Sequence, residues 1–163
     1  MKILIIGIVA SGKTTLAKKI AEQTNIKYYE IDTIVHDDFN NRKRLNSEQI
    51  EIINKINKSN DWIIEGVLRK NLYILLELAN EIIYLDIPLR VRKRRIFLRY
   101  IKQKIGIEKC NYKPNKEILD NMYKWTYEYE KEKNNFEKIL NEYKEKLTIL
   151  NEKTVRYYRI NKR

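Results

Sequence analysis

Short apolar runs alternate along this chain with segments in which apolar residues recur every three or four positions. The runs are compatible with buried strands, and the intervening segments have the spacing of amphipathic helices. We predict five strands, at residues 3–6, 27–31, 62–64, 82–85 and 147–150. This strand–helix alternation is typical of an α/β fold built on a parallel sheet.

The predicted helices differ in how clearly the sequence marks their ends. Asn46 is a candidate N-cap for a helix that carries Ile50, Ile53 and Ile56 on one side. A helix after residue 66 is expected to run to about Ala79. A long apolar stripe over residues 118–147 predicts an extended helix with a bend near residues 134–135, and residues 154–160 are predicted as a closing helix.

The first apolar run leads directly into a glycine-rich loop and then a helix. Its residues fit the pattern G-x-x-x-x-G-K-[ST], with Gly7, Gly12, Lys13 and Thr14 at the defining positions. Such a loop turns successive backbone N–H groups inward around a phosphate, and the helix that follows adds its positive dipole end. Lys13 is expected to reach the outer phosphates and the Thr14 hydroxyl to bind Mg²⁺.

Acidic residues stand where the second and third predicted strands end. Asp32 and Glu65 would meet at the carboxyl edge of a parallel sheet, where ligands bind in α/β folds. Asp32 could orient an acceptor, or it could simply cap the next helix. Glu65 could lie near the phosphates and Mg²⁺, or it could form a surface pair with Arg69 one helical turn later.

A strongly basic helix is predicted after Pro88. It contains no acidic residue up to Glu108, and Arg92, Arg95 and Arg99 fall on one helical face. Bound phosphate would relieve the repulsion among these guanidinium groups. A helix that binds nucleic acid and a solvated basic face are the alternatives.

Composition narrows the class of protein without naming a partner. The 163 residues carry a formal net charge of +12, which favours anionic partners. The length predicts one domain spanning residues 1–163. The single cysteine and the lack of a signal peptide or a membrane-spanning segment lead us to expect a cytoplasmic protein with no membrane partner, as a monomer or a homodimer.

Taken together, these motifs resemble the P-loop kinases of the nucleoside-monophosphate (adenylate) kinase type. The similarity is closest to the small FlaR-related group, often labelled DNA topology modulation proteins. It rests on the glycine-rich loop, on Asp32, on the Glu65-Gly66 pair and on Pro88 with its arginine helix. The resemblance implies a three-layer α/β/α sandwich with a five-stranded parallel sheet in the order 2-3-1-4-5. It also implies a substrate flap at about residues 33–60 and a helical lid at about residues 99–115.

The resemblance also implies roles for individual residues, with ATP and Mg²⁺ as cofactors. In the family an arginine four residues after the strand-ending acid contacts substrate phosphate, and two lid arginines cover the adenine and contact the transferred phosphate. The implied catalytic residues are Lys13, Asp32, Arg95 and Arg99; the implied ATP-binding residues are Gly7, Ala10, Ser11, Gly12, Lys13, Thr14, Thr15 and Arg95. The implied substrate-binding residues are Asp32, Glu65 and Arg69, and the implied metal ligands are Thr14 and Glu65. The chain departs from the family at Ala10, where glycine is usual, and at Glu65, where aspartate is usual.

We therefore expect an ATP-dependent kinase that phosphorylates a small molecule or a nucleotide. The alternative is a nucleotide-binding regulator with little or no kinase activity. It would contact DNA through the basic helix and a basic tail that includes Arg156, Arg159, Lys162 and Arg163.

Overall fold

The computed structural model describes residues 1–37, 39–108 and 114–160. These described residues do not include Cys110, residues 109–113 of the expected lid, or the tail residues Lys162 and Arg163. The strands are β1 (Lys2–Ile6), β2 (Tyr28–Glu30), β3 (His36–Asp37), β4 (Arg42–Lys43), β5 (Trp62–Gly66), β6 (Glu81–Leu85) and β7 (Leu147–Leu150). The α-helices are α1 (Lys13–Thr24), α2 (Ile31–Val35), α3 (Asn46–Asn57), α4 (Ile74–Leu78), α5 (Leu89–Lys104) and α6 (Lys116–Asn141).

Five of the strands form one parallel sheet in the order β2-β5-β1-β6-β7. This is the expected α/β architecture. The strand numbers differ in detail from the expected ones because β3 and β4 form a separate antiparallel hairpin outside the sheet.

Helices cover both faces of the sheet, which explains the unbroken apolar runs. All four isoleucine and leucine side chains of residues 3–6 are fully buried, as expected for the central strand of a covered parallel sheet. Leu4, Ile6 and Tyr84 pack with α2, α3, α4 and α6 on one face. Ile3 and Ile5 pack with α1 and the C-terminal segment on the other face.

The register brings several strand ends to a common edge. Ile6 lies opposite Gly66 on β5 and opposite Tyr84 on β6. Glu30, the last residue of β2, lies opposite Glu65. The loop after β1 therefore begins between the ends of β5 and β6.

Several predicted elements differ from the observed ones. β2 ends at Glu30 because Ile31 already begins α2. Asn46 is the first residue of α3 rather than its cap; Leu45 takes the N-cap position, and the Glu48 carboxylate accepts a hydrogen bond from its N–H at 2.7 Å. The segment after β5 is a 3₁₀ turn, Lys70–Leu72, followed by the short α4, instead of one continuous helix.

The C-terminal half also corrects two expectations. α6 runs without interruption through residues 134 and 135. The predicted closing helix is only a 3₁₀ turn, Thr154–Arg156. The segment around this turn is held against α1, because the Lys19 ammonium donates to the carbonyl oxygens of Arg156 and Tyr158 at 3.3 and 3.0 Å.

Candidate functional site

The loop between β1 and α1 is shaped by close packing around its first glycine. A Cβ on Gly7 would lie 2.8 Å from Ser11 Oγ and 3.1 Å from the Leu85 carbonyl oxygen. Gly12 has a φ of +99° and is the N-cap residue of α1. No side chain caps this helix, so its first-turn N–H groups remain available to a ligand.

Ala10 has a left-handed backbone with a φ of +60°. This conformation costs a residue with a Cβ about 1–2 kcal/mol, which accounts for the glycine usual at this position. The Arg95 guanidinium spans the strained segment, because its Nη1 donates to the carbonyl oxygens of Ala10 and Ser11 at 3.2 and 3.0 Å.

Lys13 folds back over the loop. Its Nζ donates to the Ile8 carbonyl oxygen at 3.0 Å. Burial lowers the pKa of Lys13, and the carboxylates of Glu65 and Asp32 act in the opposite direction. Arg99 also acts on the Lys13 charge and lowers this pKa further. Asp32, Glu65 and Arg99 thus share one electrostatic neighbourhood with Lys13.

Thr14 and Glu65 are in direct contact across the junction of α1 and β5. The Thr14 hydroxyl donates to Glu65 Oε1 at 2.5 Å. Glu65 is only 3% exposed, and burial raises its pKa, although the Thr14 hydrogen bond and the Lys13 charge oppose that rise. Glu65 therefore does not form the surface pair with Arg69 that the sequence left open.

The loop offers unsatisfied donors that suit a polyphosphate. The Ser11 hydroxyl is buried in the loop and has no hydrogen-bond partner. It lies beside the uncapped N-terminus of α1, an arrangement that suits an anion. Within the described ranges no cluster of three or more His, Cys, Asp or Glu side chains could hold a metal ion. The hydroxyl of Thr14 and the carboxylate of Glu65 are two neighbouring oxygen groups of the kind that could hold Mg²⁺.

Asp32 and Arg69 form an ion pair at the same edge of the sheet. Arg69 Nη2 lies 3.2 Å from Asp32 Oδ1, and the Asp32 side chain is 68% exposed. Asp32 lies in the first turn of α2, whose N-cap position belongs to Glu30, so it does not act as the cap. Both side chains are accessible to solvent.

The three arginines expected on one phosphate-binding face have different surroundings. Arg95 contacts the loop, whereas Arg99 Nε pairs with Glu108 Oε1 at 3.0 Å. Arg92 is 1% exposed; it donates to the Ile87 carbonyl oxygen at 2.8 Å and pairs with Glu130 on α6. Arg92 is therefore part of the packing between α5 and α6.

Two further features of this edge were not anticipated from the sequence. Glu30 acts electrostatically on both Lys13 and Glu65, and its place as the last residue of β2 was the signal that could have revealed it. Lys133 Nζ lies 2.6 Å from Asp86 Oδ1, just after β6. Nothing in the local sequence pairs these two residues, because they are separated by 47 positions.

Two of the solved structures that share this fold are shikimate kinases. A shikimate kinase from Bacteroides thetaiotaomicron has a TM-score of 0.54 at 17% identity, over 91% of this chain and 84% of that chain. A shikimate kinase from Acinetobacter baumannii in complex with shikimate has a TM-score of 0.56 at 12% identity, over 98% of this chain and 83% of that chain. At such identities the similarity concerns the fold.

The sequence comparison gives the family. No curated protein matches the chain. The family described as AAA domain matches residues 3–120, which include the glycine-rich loop, Asp32, Glu65 and the arginines of α5. The chain therefore belongs to the AAA domain family of P-loop proteins.

Proposed function

We propose that this protein is an ATP-dependent phosphotransferase that acts on a small hydroxyl- or phosphate-bearing acceptor. The observation that carries the proposal is the contact between Thr14 and Glu65 next to Lys13, with the Asp32–Arg69 pair close by. A nucleotide-binding loop alone would fit any NTPase. An exposed acid–base pair beside it provides a place for a second substrate.

The residues of the loop would bind and neutralise the nucleotide. Bound Mg·ATP would supply the γ-phosphoryl group and the charge-neutralising cation. Lys13 would leave the Ile8 carbonyl oxygen for the outer phosphates, and the Ser11 hydroxyl and the N–H groups at the start of α1 would donate to phosphate oxygens. Thr14 and Glu65 would hold the metal ion, directly or through water.

The Asp32–Arg69 pair would receive the acceptor. Asp32 would accept the hydrogen of an acceptor hydroxyl and so orient its oxygen, and Arg69 would bind an anionic group on the same molecule. The similar folds of enzymes named as shikimate kinases, one with shikimate bound, support a small-molecule acceptor as well as a nucleotide. Membership in the FlaR-related group is part of this proposal and rests on the motif order.

Arg95 and Arg99 would provide the positive charge on the lid side. Arg95 reaches the loop in the present structure. Arg99 would exchange its exposed Glu108 partner for phosphate, at small cost because exposed ion pairs contribute little. An arginine that stabilises transferred charge is worth roughly 10³–10⁵ in rate.

The test is acceptor-dependent ADP formation with a panel of nucleoside monophosphates and small hydroxy acids. We expect at least one acceptor to raise ADP release, and we expect Lys13→Ala and Arg99→Ala to lower it by about 10²-fold or more. Lys18→Ala, which removes an exposed cation from the same helix α1, is the matched control and should leave the rate unchanged. If no acceptor in the panel raises ADP release above that of Lys13→Ala, the proposal fails.

A further inference from the structure

The outward side of α5 carries apolar side chains that the described residues leave partly exposed. Phe97 is 49% exposed, Leu98 45%, Ile101 37% and Ile105 62%. Exposed cations lie next to these side chains: Lys102 and Lys104 flank them, and Arg94 lies among them one turn before Phe97 and Leu98. We call this set the outer α5 surface: Arg94, Phe97, Leu98, Ile101, Lys102, Lys104 and Ile105.

Helix geometry places these residues on one side. At about 100° of rotation per residue, the four apolar side chains fall within an arc of about 100°. Lys104 and Lys102 lie at its two edges. Ile96 and Arg92 point the opposite way, into the protein.

This surface is separate from the candidate nucleotide site. Arg95 contacts the phosphate loop, and Arg99 interacts electrostatically with Lys13. On the helix both arginines lie well outside the apolar arc. The outer α5 surface is therefore distinct from the side of α5 that meets the phosphate loop.

The end of the helix is fixed by a C-terminal capping motif. Gly106 has a φ of +78°, and its N–H donates to the Gln103 carbonyl oxygen at 3.2 Å. The N–H of Ile107 donates to the Lys102 carbonyl oxygen at 2.9 Å. These are the two bonds of a Schellman motif, and they hold Ile105 and Ile107, which are 62% and 71% exposed, in an ordered turn.

The charge of the surface is of one sign. The sequence contains no acidic residue between Asp86 and Glu108, and Glu108 is paired with Arg99. A symmetric contact between two copies through this surface would bring cations against cations. Nucleic acid would neutralise the charge but leave the apolar side chains against phosphates. A convex single helix also offers no groove for a partner helix.

We propose that the outer α5 surface binds an anionic lipid bilayer. The apolar side chains would enter the boundary between headgroups and acyl chains, and Arg94, Lys102 and Lys104 would lie among the anionic headgroups. No helix among the described residues is long and apolar enough to cross a membrane. The expectation of no membrane partner rested on the lack of such a segment, and a helix that lies in the interface does not need one.

The test is cosedimentation of the full chain with vesicles of phosphatidylcholine containing about one third phosphatidylglycerol, at low and moderate salt. We expect binding to these vesicles and not to pure phosphatidylcholine. Each cation near an anionic surface contributes roughly a factor of five in partitioning, so the triple variant Arg94→Gln, Lys102→Gln, Lys104→Gln should bind about a hundredfold more weakly. The double variant Phe97→Ser, Ile101→Ser should also bind more weakly although its charge is unchanged.

A charge-matched variant separates a local surface from general attraction. The control is the triple variant Lys18→Gln, Lys58→Gln, Lys153→Gln. It removes the same number of exposed cations from other parts of the chain and should retain binding to the vesicles. Unchanged thermal unfolding midpoints show that the variants are folded. The proposal is wrong if the wild type does not bind anionic vesicles, if the control variant loses as much binding as the α5 variant, or if the apolar variant binds like wild type. The proposal is also wrong if a DNA duplex binds this surface more tightly than the vesicles do and displaces them.

Discussion

Glu65 is a buried carboxyl group whose ionisation opposes folding when no ligand is present. Burial raises its pKa above the ordinary value of 4.5. The folded state therefore binds the proton more tightly than the unfolded state, and stability falls as the pH rises from about 4.5 through the raised pKa. A bound divalent cation would reverse this cost, because it stabilises the ionised form.

We predict that Glu65→Gln raises the unfolding midpoint of the ligand-free protein at pH 7 and abolishes Mg²⁺-dependent stabilisation by ATP. The gain should vanish near pH 4, where the wild-type carboxyl group is protonated. Differential scanning calorimetry across this pH range measures both effects. Glu22→Gln, which removes an exposed carboxylate from α1, is the control and should change neither. A lower midpoint for Glu65→Gln at pH 7 would contradict this account of the site.

A second constraint on a single residue is the lack of space for a side chain at Gly66. A Cβ at this position would lie 2.5 Å from Ile31 Cβ and 3.0 Å from Ile31 Cγ1. We predict that Gly66→Ala destabilises the protein by about 1–3 kcal/mol, measured by urea unfolding, because the first residue of α2 must move. Combining it with Ile31→Gly, which removes the Cβ that the new methyl group would meet, should cost less than the sum of the two single changes. Strict additivity would show that the close approach is not the cause.

At the scale of elements, the junction of α5 and α6 depends on a charge pair with unequal burial. Arg92 is 1% exposed and Glu130 is 35% exposed. The Arg92 guanidinium also lies 5.7 Å from the centre of the Tyr129 ring. Removing the partner of the more deeply buried charge should therefore be the more damaging change.

We predict that Glu130→Ala destabilises the protein by about 3 kcal/mol, and that Arg92→Met costs less. The first change leaves a buried guanidinium without its partner, whereas the second leaves a carboxylate that water can reach. Urea denaturation of both variants gives the order of the two effects. The reverse order would mean that the packing of the Arg92 side chain outweighs its charge.

Helices and strands with a clear local sequence pattern could be predicted, whereas those that depend on contacts with distant residues could not. The strands, α1 and α3 are marked by apolar patterning, and α5 by Pro88 and its basic run, so they could be predicted. The hairpin of β3 and β4 could not, because its strands are joined by an ion pair, Arg42 with Asp37 at 3.8 Å, rather than marked by an apolar pattern. The predicted closing helix is not observed. Its segment instead accepts hydrogen bonds from Lys19, which lies far away in the chain.

At the scale of the whole molecule, the parallel sheet turns separate sequence motifs into one site. The order β2-β5-β1-β6 could be expected once the loop motif was recognised, and it brings Asp32, Lys13 and Glu65 to one edge. The Thr14–Glu65 contact and the Asp32–Arg69 pair could not be read from spacing, since their members are 51 and 37 positions apart. The burial of Arg92 depends on α6, whose position the local pattern does not encode.

The central claim is that the glycine-rich loop binds Mg·ATP through Lys13. Isothermal titration of Mg·ATP into wild type, Lys13→Ala and Lys18→Ala tests it most directly. We predict saturable one-to-one binding by wild type and by Lys18→Ala. The affinity of Lys13→Ala should be lower by at least about tenfold, as expected for the loss of one charge-assisted contact of about 1.5–3 kcal/mol. Equal affinities for all three proteins, or no saturable binding by wild type, would contradict it.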